Sequence, residues 1–227
     1  MNNHQVIEDT SGLNKFYAKV YGIFGLGLGI SALAAFLGGS IFLDQTLAFI
    51  QNFPLGLTGI WIAEIILVIV LSAKAQKNPS LTLAGFIVYS LLNGLVLSIT
   101  ILAYGVENAA RAFVVATITF LVMALYGAFT KRDLSGIGRA GIGLLFGVII
   151  ATVVNMFLQS SGVDYFLSYV TVLIFVGLTA YDNQRIRHVY FASQGQENLG
   201  LAAFMALQLY LDFINLFLSL LRIFSRD

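Results

Sequence analysis

Three acidic side chains, Glu64, Asp182 and Asp212, stand inside stretches of the chain that are otherwise apolar. The other eight of its eleven acids, from Glu8 to Asp227, lie at or near the ends of the apolar runs. An ionised side chain at the centre of a bilayer costs roughly 2.5–3.5 kcal/mol on insertion scales, so such residues usually face a bundle interior or a watery path. Carboxylates there can take up protons or attract hard cations such as Ca²⁺, which prefers oxygen ligands. Asp212 lies in "LYLDFINLFLSLLRIF" (209–224), and helical spacing shows where it points. At 100° per residue, Gln208, Asp212, Asn215, Ser219 and Arg222 share an arc of about 80°, while the rest of the segment is Leu, Ile, Phe and Tyr. A helix facing lipid has no use for that stripe; one lining a polar interior does.

Asp182 is the expected partner. It sits in "GLTAYDNQRIRHVY" (177–190), followed by "FASQGQENLG" (191–200), whose Gly, Ser, Gln and Asn read as a turn. Positions 182 and 212 are equidistant from residue 197, so an antiparallel hairpin brings them to similar depth. Two facing carboxyls share a proton and titrate as a unit, which would make a pH sensor and, when both ionise, a cation site. Ser168, Thr171 and Thr179 fall on the same face as Asp182, although such hydroxyls often bond only their own helix backbone. Structural roles remain open beside these. Asp182 could pair with Arg185 three residues on, and Arg222 could neutralise Glu64 as a static brace.

The elements that must position these groups follow from composition. The 227 residues are 59% hydrophobic and only 10% charged, with a mean hydropathy of +0.89, against about 25% charged in a soluble domain. Spanning a bilayer takes about 20 apolar residues, and seven spans are predicted near 17–39, 55–74, 81–103, 111–130, 138–158, 165–190 and 200–223. The fold class is therefore all-α, a polytopic seven-transmembrane-helix bundle with the last helix central. Residues 1–16 read as a polar cytoplasmic tail, and 17–227 as one transmembrane domain. Nine of the twelve Lys and Arg flank one set of span ends and three the other, which places the N-terminus in the cytoplasm. The uncharged run 20–43 is too long for a signal-peptide core and reads as a retained span. The pairs Gly25/Gly29 and Gly143/Gly147 have the spacing that lets membrane helices approach closely. The absence of cysteine excludes disulfides, thiolate metal sites and cysteine nucleophiles. A net charge of +1 and no basic tail give no sign of nucleic acid.

Seven spans ending in "LYLDFINLFLSLLRIF", with "GLTAYDNQRIR" one helix earlier, resemble the Bax inhibitor-1 (transmembrane Bax inhibitor motif) family over nearly the whole chain. The resemblance implies a last helix enclosed by the others and a pH-sensitive calcium leak sensed by an aspartate pair, here Asp182 and Asp212. It further implies a buried acid at Glu64, in contact with Arg222 near the outer part of the pathway. Bacterial calcium-leak members carry a latch arginine near the cytoplasmic end of the second span. Ala75 stands at that position here, which leaves Lys74 as the candidate latch, and an ammonium lacks the bidentate fork of a guanidinium.

The expected function is thus a pH-sensitive calcium (cation) leak channel of a bacterial plasma membrane. Its partners would be the lipid bilayer and calcium ions, the latter as permeant species with Asp182 and Asp212 as their ligands, and no cofactor is expected. The alternative is a membrane regulatory protein that binds membrane protein partners in stress response or quality control. An enzyme is not expected: "AYD" at 180–182 resembles half of an intramembrane aspartyl protease signature, but no Gly-x-Gly-Asp run precedes Asp212.

Overall fold

A computed structural model describes residues 3–195 and 198–225, with side chains from Ser11 onward. The tail of residues 1–16 falls partly outside the described residues, and Glu197, Arg226 and Asp227 wholly so. The chain is helical throughout, with no strand among the described residues. Helix α1 spans Asn3–Phe36 and passes through a π-helical turn, Leu37–Ile41, into α2, Leu43–Asn52. There follow α3 (Gly56–Lys74), α4 (Pro79–Tyr104), α5 (Val106–Phe129), α6 (Ser135–Leu158), α7 (Ser161–Ala192) and α8 (Leu199–Phe224). Seven of these helices are long and apolar enough to cross a bilayer, and their bounds follow the predicted spans closely except at the starts of α1 and α5.

Sequence punctuation explains the breaks. Pro79 opens α4, where the missing N–H is no loss. Gly105 joins α4 to α5 at a φ of 87°, which a side chain would oppose. Asn198 begins α8 by accepting the N–H groups of Gly200 and Leu201 at 2.8 and 3.2 Å.

Two features depart from expectation. The ten residues of α2 form a separate helix between the first two predicted spans, where no element is predicted; at about 15 Å it is too short to cross, and none of its residues is buried. The paired glycines also do something else: Gly25, Gly29, Gly143 and Gly147 all look onto open space. Close approach falls to other glycines. A Cβ at Gly94 would collide with the Ser31 backbone, one at Gly127 with the Ala180 carbonyl, and one at Gly200 with the Ala75 carbonyl. Four-residue spacing identifies a face but not whether that face meets a helix or lipid.

Two compact units can be distinguished, one of Met1–Ala103 with Val189–Tyr210, the other of Tyr104–His188 with Leu211–Asp227. The last span is the most enclosed, with 72% of its central window buried against 11–44% in the other six. Helices α3 and α6 are at the opposite extreme; on α3, Ile62, Ile65, Ile66 and Ile69 are exposed, as is Trp61, the chain's one tryptophan.

Candidate functional site

Asp182 on α7 and Asp212 on α8 are both buried, 5% and 3% exposed, within the second unit. Each carboxyl lies within interaction range of the other. Two carboxylates offer each other only acceptors, so a bond between them requires a proton on one. The Oδ2 atom of Asp212 is buried and no donor reaches it. A buried acceptor left without a donor is costly, and a shared proton or a cation is what would relieve that cost. The facing pair expected from hairpin geometry is therefore present.

The structure also brings Arg185 to the pair. Its Nη1 lies 3.8 Å from Asp182 Oδ1, at the far edge of an ion pair, and its side chain is partly exposed. The two readings of Asp182, partner of Asp212 or of Arg185, hold together.

Three hydroxyls on the Asp182 face of α7 are satisfied within their own helix. Ser168, Thr171 and Thr179 donate to the carbonyls of Asp164, Leu167 and Phe175 at 2.7–2.8 Å. This is the backbone bonding that made their stripe weak evidence. Asn215 on α8 likewise donates to Leu211 O at 2.7 Å. Of the α8 stripe, Ser219 is buried, Gln208 and Asn215 are half-buried and Arg222 is exposed.

Sequence reasoning missed Gln184. Its Oε1 accepts the Leu134 N–H at 2.9 Å and its Nε2 donates to Arg132 O at 2.7 Å, which ties the loop between α5 and α6 to α7 two residues from Asp182. In that loop, Asp133 accepts the N–H and the hydroxyl of Ser135, both at 2.9 Å. The two bonds hold its carboxyl below the ordinary aspartate value, with smaller contributions from His188 and Arg139. No helical spacing announces Gln184, because its partners are backbone groups fifty residues away in sequence.

Glu64 is placed in the first unit, buried on α3. Its Oε1 accepts a hydrogen bond from Asn93 Nδ2 at 3.1 Å, a partner that a search for charged residues passes over. Lys74 ends α3 and is exposed. Its neighbour Ala75 is buried against Gly200 at the start of α8.

Comparison with known proteins finds relatives among bacterial membrane proteins. A 44% identical membrane protein of Streptococcus pyogenes serotype M1 aligns over the full length of both chains. Protein YrjE of Lactococcus lactis is 42% identical over 99% of this chain and 97% of its own. Inner membrane protein YbhL of Escherichia coli (strain K12) is 40% identical over 97% and 95%. The family described as "Inhibitor of apoptosis-promoting Bax1" matches residues 13–227. Seven membrane-spanning helices, full-length bacterial relatives and that match together make the chain a member of the Bax inhibitor-1 family.

Proposed function

We propose that the protein is a pH-sensitive calcium (cation) leak channel of the bacterial plasma membrane, with its N-terminus in the cytoplasm and Asp182 and Asp212 as the sensor. The supporting observation is the buried facing pair with one oxygen that no donor reaches. In this reading, ionisation of both carboxyls draws Arg185 onto the pair and holds the pathway shut, and acid weakens that hold. Arg185 takes the latch role for which Lys74 was the sequence candidate, because its guanidinium lies within reach of Asp182. Calcium binds six to eight oxygens, so two carboxyls suit an ion in passage better than a resident one. Gln208, Asn215 and Ser219 continue the polar stripe along α8, with Arg222 at its far end and Glu64 as a supporting acid.

The test is calcium flux from purified protein in liposomes across about pH 6–8, where a coupled acid pair can titrate. Flux is expected to rise with acid in the wild type and to lose its pH response when Asp182→Asn and Asp212→Asn are combined. A flat wild-type profile, or a double variant that keeps the response, contradicts the proposal.

A further inference from the structure

The first unit contains a buried hydrogen-bonded chain that joins four helices and ends on an acid. Asn93 of α4 donates from Nδ2 to Glu64 Oε1 of α3 at 3.1 Å. Tyr210 of α8 lies 2.9 Å from Asn93 Oδ1, and Ser31 of α1 lies 2.6 Å from the Tyr210 hydroxyl. Ser31 Oγ is also 2.7 Å from Ser90 O of α4 and 3.1 Å from Gly27 O of its own helix. All four side chains are buried. Tyr89 and Phe86 pack edge-on against the Tyr210 ring at 5.7 and 5.5 Å. Among the described residues, the titratable groups in electrostatic contact with Glu64 in this unit are Tyr89 and Tyr210, and α1 brings the Ser31 hydroxyl to the chain.

Each hydroxyl has one proton, and an amide donates only from nitrogen, so the direction of every bond depends on Glu64. When Glu64 is ionised it can only accept. The amide nitrogen must then face it, and the amide oxygen faces Tyr210, which must donate. Ser31 is left to donate to Tyr210, and the Ser90 carbonyl goes without the Ser31 proton. A proton on Glu64 turns the carboxyl into a donor, and the whole chain can invert. The amide turns end for end, Tyr210 accepts from Asn93 and donates to Ser31, and Ser31 donates to Ser90 O. The amide ends are nearly identical in shape, so both arrangements use the same heavy-atom positions. The 2.7 Å contact between Ser31 and Ser90 is in place for the second.

We infer that Glu64 is a second proton-binding site, separate from the aspartate pair, whose occupancy is transmitted through Asn93, Tyr210 and Ser31 to the contact between α1 and α4. The proton comes from water and returns to it, and no other covalent bond is made or broken. The site requires neither calcium nor the aspartates.

Infrared pH-difference spectra of the purified protein in liposomes, taken between about pH 4 and 10 to bracket carboxyl titration in buried sites, test this. The wild type should show a protonated-carboxyl C=O band that is lost in Glu64→Gln and kept in the combined Asp182→Asn and Asp212→Asn variant. Tyr210→Phe and Ser31→Ala should each shift that band. If no pH-dependent band disappears in Glu64→Gln, the proton site is refuted. If the band is present but neither Tyr210→Phe nor Ser31→Ala moves it, the relay is refuted.

Discussion

With both carboxyls ionised, Asp182 and Asp212 repel each other, and Arg185 is the cation placed to offset that repulsion. Its partial exposure limits the effect to about 1 kcal/mol, near the upper end for hydrated ion pairs. Arg185→Gln should therefore raise calcium flux at about pH 8 by up to roughly fivefold and flatten the pH profile. Unchanged flux in proteoliposomes would remove Arg185 from the latch role. The three membrane acids could be picked out in the sequence because a charge in an apolar run has few innocent explanations. Arg185 was visible only as an alternative partner, since three-residue spacing is common on any helix. Asn93, Tyr210 and Ser31 gave no such signal. Amides and hydroxyls are ordinary in membrane helices, and only the packing of α1, α3, α4 and α8 makes these three a chain.

Helix elements were legible where hydropathy alone decides them, and the seven spans agree with the structure to within a few residues apart from the start of α1 and the first turn of α5. The short α2 was not, because its residues merge with the apolar run of the next span until Pro54 interrupts it. Helix contacts were misplaced for a related reason: glycine spacing cannot tell a packed face from a lipid-facing one. Gly127→Ala and Gly200→Ala should each destabilise by about 1–3 kcal/mol, the usual cost of overpacking, because a Cβ meets a carbonyl there. Gly143→Ala should be neutral or stabilising by up to about 1 kcal/mol, from helix propensity. Thermal unfolding in detergent separates the two groups. The Asp133–Ser135 bonds at the start of α6 behave differently with pH. A carboxyl held below its ordinary value contributes stability that is present above about pH 4 and is lost as pH falls through the folded value. The difference in unfolding temperature between wild type and Asp133→Asn should thus stay constant over about pH 6–8 and shrink in strong acid, so these bonds cannot supply the pH response proposed for the aspartate pair.

At the scale of the whole molecule, the chain combines few charges, a bias of Lys and Arg toward one set of helix ends, and a last helix more enclosed than any other. Enclosure was legible from the polar stripe on α8, where Asp212 and Ser219 are buried although Gln208 and Asn215 are only half-buried. The division into two units was not legible, because short connections between spans look alike whether or not the helices they join pack closely. Each unit holds its own buried acid site, Glu64 in the first and the aspartates in the second. The exposed face of α3 gives the molecule a built-in optical reporter. Trp61 is the sole indole, 54% exposed and three residues before Glu64, or about 4.5 Å along the axis. Its emission should be quenched by brominated acyl chains and spared by aqueous iodide; the reverse pattern would mean that this face meets water. Depth and local polarity beside the first acid can therefore be followed in unlabelled protein, with no foreign dye in the bilayer.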